Sequence, residues 1–258
     1  MQDLNTDWTI GVTQFIFIEN YVRNKIEIHH FEKNNNKPLN YNSKIQKPNI
    51  LIIAGTHGDE PAGTHALEII KNKILNNQLT LKTGSITLIP KLNEYGIKNN
   101  KRETNHFKLD ESDDGGDINR TYSKNKDDKP LSYQASLVQK YMKNADLVLD
   151  FHEGYDFHKI NNNSIGSTIH VTNFNGETFI AKNIIKKLNT SIKNPQKKWT
   201  ILKNKADIPA SCRHHAKLAK IPHILIETTG KLDKQPLNIR IDQCLSILDQ
   251  VFKDNNMI

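Results

Sequence analysis

Short aliphatic and β-branched runs alternate along this chain with stretches of helical period. The runs are "TQFIFI", "KIEIHHF", "NILIIAG", "SITLIP", "ADLVLDF", "GSTIHV", "WTIL" and "PHILIET". Several are apolar at every position, which is the pattern of strands covered on both faces. Helical spacing follows Pro61, where Ala62, Ala66, Ile69 and Ile70 fall on one stripe. It recurs at Leu137, Val138 and Tyr141, and after Pro236 at Ile241, Leu245, Leu248 and Phe252. His214 and His215 open a further helix near the last strand. The polar segments Glu32–Lys47, Lys98–Asp117 and Ser123–Pro130 read as surface loops. Strands alternating with helices predict a single α/β domain with three α/β/α layers around a mixed, mostly parallel central sheet. Its expected parts are N-terminal strands and a polar loop over 1–47, a motif-bearing core over 48–230, and a C-terminal helix within 231–258.

Composition narrows the function classes. The chain has 258 residues, enough for one large α/β domain, and no apolar stretch of the length that crosses a membrane. The opening "MQDLNTDW" lacks the basic-then-apolar order of a signal peptide. Cys212 and Cys244 are the only cysteines and read as reduced thiols, so the expected location is cytoplasmic. Net charge is +8, yet the lysines are scattered among acids and asparagines without a compact basic run. Nucleic acid is therefore not the expected partner, and the positive potential favours a small substrate bearing a carboxylate. No pattern in the sequence sets an oligomeric state.

The candidate chemistry lies at the ends of the aliphatic runs, where reactive groups collect in parallel sheets. In "NILIIAGTHGDEPAG", His57 and Glu60 stand three residues apart just beyond a strand. Imidazole nitrogen and carboxylate oxygen both suit Zn²⁺, and Gly55 and Gly58 are expected to leave room for the ion. In "ADLVLDFHEG", His152 arrives as the run ends and completes a His₂Glu set. Asp150 faces the same side two residues earlier and is placed to orient a ligand imidazole; Glu153 points away and reads as structural. In "GGDINRTY", Asn119 and Arg120 supply donors for a substrate carboxylate. Arg102 is a candidate for polarising the scissile carbonyl. Glu227 ends the buried run in "PHILIETTG", where a carboxylate is costly without a task; a general base beside a metal fits that cost. His29, His30, His65, His106 and His223 read as structural or surface histidines, whereas His158 and His170 flank the loop after His152.

The order of the pieces "GTHGDEPAG", "LIPKLNEYGIKNNKR", "DINRTY", "LVLDFHEG" and "ILIETTG" resembles the zinc carboxypeptidase superfamily, especially the branch of succinylglutamate desuccinylase and aspartoacylase. The resemblance spans about Ile50 to Gly230. It implies one Zn²⁺ per chain held by His57, Glu60 and His152. It implies Asn119 and Arg120 as the pair that grips the substrate carboxylate, Arg102 near the carbonyl oxygen, and Glu227 as general base and proton shuttle. Two departures stand out. Desuccinylase and aspartoacylase carry a further β-rich domain, whereas here about thirty helical-looking residues follow Glu227, as in compact single-domain members. The tyrosine that carboxypeptidases place upstream of the catalytic glutamate has no counterpart in "WTILKNKADIPASCRHHAKLAKIPH"; Trp199, Arg213, His214 or His215 stand there instead, with Arg213 and His215 taken as substrate-binding. The implied function is zinc-dependent hydrolysis of a small N-acyl amino acid. The alternatives are removal of a C-terminal residue from a short peptide and, in another class, a non-catalytic zinc- or nucleic-acid-binding protein.

Overall fold

The computed structural model describes residues 12–17, 25–32, 47–105, 116–174, 176–202, 207–230 and 234–258. They build one eight-stranded sheet from β1 (Val12–Phe17), β2 (Lys25–Glu32), β3 (Asn49–Ile53), β4 (Ser85–Ile89), β5 (Leu147–Gly154), β6 (Thr168–Val171), β7 (Thr200–Ile201) and β8 (His223–Thr229). The strand order is β1-β2-β4-β3-β5-β8-β6-β7. The four central strands β4, β3, β5 and β8 run parallel, while β1–β2, β2–β4 and β6–β8 pair antiparallel. Every aliphatic run named above contributes a strand.

Helices α1 (Pro61–Leu75), α2 (Glu94–Asn99), α3 (Tyr133–Met142), α4 (Glu177–Thr190), α5 (Cys212–Leu218) and α6 (Leu237–Asp254) complete the described elements. Strand alternation sorts the core into two layers. Ile50 and Ile52 join the apolar residues of α1, α4 and α6 on one side. Leu51 and Ile53 join those of α3 and α5 on the other. These four β3 residues are fully buried, each contributing about 1.5–3 kcal/mol. The expected three-layer α/β domain is thus present. α4 escaped the sequence reading, although its buried Ala181, Ile184 and Leu188 hold helical spacing; the lysines and asparagines between them dilute the apolar stripe.

The loop after β3 corrects one expectation. A Cβ on Gly58 would lie 1.8 Å from the Gly96 carbonyl carbon, and one on Gly55, at φ +67°, would lie 2.8 Å from Ile97 Cδ1. The space that both glycines spare is filled by α2, not by an ion. Gly58 N–H donates to Lys101 O at 2.9 Å, which locks this close approach. His57 is thereby fixed against the strand ends.

Candidate metal centre and substrate cleft

Glu60 precedes Pro61, the first residue of α1, and proline disfavours helical geometry in the residue before it. Glu60 accordingly sits at φ −120°, ψ 69°, with its carboxylate making no capping bond to the helix. It turns back instead onto the imidazoles. Glu60 Oε1 lies 2.9 Å from His57 Nδ1, and Oε2 lies 2.9 Å from His152 Nδ1. The two Nδ1 atoms are 3.1 Å apart. Three buried donors from the β3–α1 loop and the end of β5 therefore converge on one point. Two imidazole nitrogens and a carboxylate form a donor set suited to Zn²⁺ with a coordination position left open.

The outer nitrogens face carboxylates. His57 Nε2 is 3.0 Å from Asp117 Oδ1, and His152 Nε2 is 3.2 Å from Asp150 Oδ1. A carboxylate behind an imidazole favours the tautomer that leaves Nδ1 toward a cation. Burial alone would push the Glu60 carboxyl up, but His57 and His152 outweigh it and hold it well below the usual range. Burial would lower His152, yet Asp150 and Glu60 raise it well above the usual imidazole value. A divalent ion would compete with the proton that Asp150 and Glu60 favour on His152.

Arg102 reaches the same group. One Nη donates to Glu60 Oε1 at 3.3 Å and to His57 Nδ1 at 3.2 Å; the other donates to Asp117 Oδ2 at 3.0 Å. Asp117 was not singled out from the sequence, although it caps the short turn Ile118–Arg120 by accepting Asn119 N–H at 2.8 Å. Asn119 Oδ1 accepts Cys212 N–H at 2.9 Å, so the remaining polar group of that amide is a donor, as an anionic ligand requires. Arg120 is held by its bond to Asn119 O at 2.7 Å.

These groups line a cleft of about 220 Å³ together with Arg213, His170, Tyr155 and Glu227. Burial pushes the Glu227 carboxyl up to about 8; Glu60 and Asp150 add to the rise, while His152 and Arg102 oppose it. β5 and β8 pair His152 directly with Glu227, which sets the carboxyl beside the three converging donors. Arg213 lines the cleft while paired with Asp207 at 3.1 Å. His215 lies outside the cleft lining, its ring 6.5 Å from that of Tyr122, and His214 bonds Lys124 O. Trp199 is buried in the core. Tyr155, just past His152 in sequence, joins the lining; the sequence reading sought a tyrosine only within Trp199–His223. Glu153 also borders the cleft, while its carboxylate pairs with Arg240 and accepts Ala62 N–H on the side of α1 and α6. His29 stacks near Phe31, His30 bonds Thr87, His65 is exposed, and His158 faces Ser164 O. His106 lies outside the described residues.

Residues 46–164 match the profile of the succinylglutamate desuccinylase/aspartoacylase catalytic domain, a little under half of the chain. That segment carries His57, Glu60, Arg102, Asn119, Arg120 and His152, and the profile is that of a hydrolase catalytic domain, as the sequence led us to expect. No curated protein matches the sequence. Among solved structures, the chain is similar to the apo cell shape determinant protein Csd4 from Helicobacter pylori, with a TM-score of 0.68 and 19% identity over 90% of this chain. It spans 55% of the length of that protein. An mDAP-bound form of Csd4, a D,L-carboxypeptidase, gives 0.64 and 18% over 82% of this chain and 51% of the other. A candidate metallopeptidase from Shewanella amazonensis gives 0.63 and 15% over 95% and 87%. These structural likenesses establish the fold. With the desuccinylase/aspartoacylase profile laid over residues 46–164 of that fold, the chain resembles the zinc carboxypeptidase superfamily through its desuccinylase/aspartoacylase branch.

Proposed function

We propose that this chain is a zinc-dependent amide hydrolase acting on a small N-acyl amino acid with a free carboxylate. The observation that carries the reading is the convergence of His57 Nδ1, Glu60 and His152 Nδ1 at one point beside Glu227. One Zn²⁺ would be held by those three residues. When bound, the ion supplies Lewis acidity that activates water and the amide carbonyl. The protein groups do the rest. Glu227 takes a proton from the attacking water at its carboxylate and returns it to the leaving amine. A base that must also act as an acid works best near the ambient pH, and burial moves Glu227 toward it. Arg120 and the Asn119 amide grip the substrate carboxylate and fix which amide bond is presented. Arg102 donates toward charge developing on the carbonyl oxygen, a donor of the kind typically worth about 10²–10³ in rate. Arg213 contacts the substrate from the α5 side of the cleft. The free, buried Cys212 and Cys244 suit a reducing, cytoplasmic setting, and among the described residues no helix is long and apolar enough to cross a membrane.

A second reading is carboxypeptidase action on a short peptide, favoured by the fold likeness to Csd4 over nine-tenths of this chain. A panel of N-acyl amino acids and short peptides, assayed with the zinc-loaded protein, separates the two. Turnover of N-acyl amino acids alone supports the deacylase, and release of C-terminal residues alone supports the peptidase. Failure of both classes removes the proposal.

A further inference from the structure

Behind His152 lies a buried polar group with no part in the chemistry just described. The strands β5 and β8 run parallel, with Val148 paired to His223, Asp150 to Leu225 and His152 to Glu227. Side chains of paired residues share a face, so His223 sits one step beneath Asp150, which sits one step beneath His152. All three are buried, His223 completely. The Asp150 carboxylate divides between the two imidazoles: Oδ1 is 3.2 Å from His152 Nε2, and Oδ2 is 3.7 Å from His223 Nε2.

We infer that His223 is a positioning residue for the metal centre, holding the Asp150 carboxylate so that Asp150 fixes His152 with Nδ1 toward the cation. The inference rests on the metal centre proposed above and adds a residue to it. Three observations support it. First, the Asp150 carboxylate is buried between two imidazoles, with Oδ1 toward His152 and Oδ2 toward His223, and a buried carboxylate is costly without such partners. Second, among the described residues neither ring nitrogen of His223 has a hydrogen-bond partner. An unsatisfied buried imidazole costs about 1–3 kcal/mol, and Asp150 Oδ2 is placed to relieve it after a small approach. Third, the backbone of His223 is held from the opposite strand: its N–H donates to Thr172 Oγ1 at 2.9 Å, and its carbonyl accepts Thr172 N–H at 3.1 Å. The imidazole is therefore carried on a fixed base. Cys212 Sγ closes the same group, since Asp150, Cys212 and His223 offer ligand atoms within 4.8 Å of one another. Asp150 already faces His152, which favours a positioning role over a second ion.

Zinc affinity by chelator competition, with zinc stoichiometry, tests this on the full chain. Partners behind a ligand histidine are typically worth about 10–100-fold in metal affinity. His223→Leu is expected to weaken zinc binding by about that factor and, at saturating zinc, to lower kcat while leaving KM unchanged. His223→Gln, which keeps a donor within reach of Asp150, is expected to restore most of the affinity. The Asp150→Asn/His223→Leu double variant is expected to bind no more weakly than Asp150→Asn alone, because both changes cut one chain of contacts. If His223→Leu does not fold, His223→Asn, polar but too short to reach, is read in its place. Wild-type affinity and kcat in these variants, or additive losses in the double variant, would overturn the inference. So would a second zinc equivalent in the wild type that His223→Leu removes, since it would assign the three groups to an ion. A wild-type chain that binds no zinc removes the metal centre itself, whereas equal binding by wild type and His223→Leu removes only the role of His223.

Discussion

Glu227 is the residue at which the proposed metal binding and the proposed turnover can be separated. It lies beside His152 across the β5–β8 pairing but outside the converging donors. Glu227→Gln is expected to keep zinc affinity near wild type and to lower kcat by about 10²–10⁴, the usual worth of a positioned acid–base group; full turnover with zinc retained would show that another group moves the proton. If Arg120 grips the substrate carboxylate as proposed, Arg120→Ala is expected to act mainly on KM, since such binding serves ground and transition states alike, and steady-state kinetics read the difference. The three converging residues were legible because each lies in a short motif, H-x-x-E before a proline and D-x-H at a strand end. Asp117 was not, because its place in the site lies in what it touches. His57 is 60 residues from Asp117 in sequence yet 3.0 Å away in space, and no local spacing announces such a contact.

At the scale of elements, hydrophobic periodicity disclosed all eight strands and the helices α1, α3 and α6. Apolar runs this short, rich in β-branched residues and bounded by polar turns, read as strands by their length and composition. α4 was missed because its apolar stripe is narrow, and α2 because six residues give too little period to read. The purpose of the glycines after β3 could not be read either, since it depends on where α2 packs. Gly58→Ala would set a methyl group into the Gly96 backbone. The expected result is a loss of about 1–3 kcal/mol or more in unfolding free energy, measurable by denaturant titration, with zinc affinity reduced because His57 adjoins the shifted loop. Arg240 on α6 ties that helix to Glu153 at the tip of β5. Arg240→Leu leaves a buried carboxylate without its partner and is expected to cost about 3–5 kcal/mol by the same titration.

For the whole molecule, the strand ends pool several buried charges, and their balance gives the protein a pH signature. Folding raises the Glu227 carboxyl from an ordinary 4.5 to about 8, so the folded chain keeps a proton that the unfolded chain has released. Its contribution to stability is complete below about 4.5 and is lost as pH rises through about 8. His152, raised above its ordinary 6.5, loses its contribution in the same direction. Asp117 and Asp150 are held below the usual carboxylate range, so their contributions vanish as pH falls below about 4. The chelator-treated protein is therefore expected to have its highest Tm in mildly acidic buffer and to lose stability toward pH 8. Glu227→Gln should flatten the alkaline limb. Thermal denaturation across pH tests this, and a Tm that rises steadily from pH 5 to 8 would contradict it. The most direct test of the central claim is anomalous scattering at the zinc edge from crystals of the zinc-loaded chain. The account predicts one strong peak within bonding distance of His57 Nδ1, a Glu60 oxygen and His152 Nδ1. Zinc bound elsewhere, or no peak between those three groups, would contradict it.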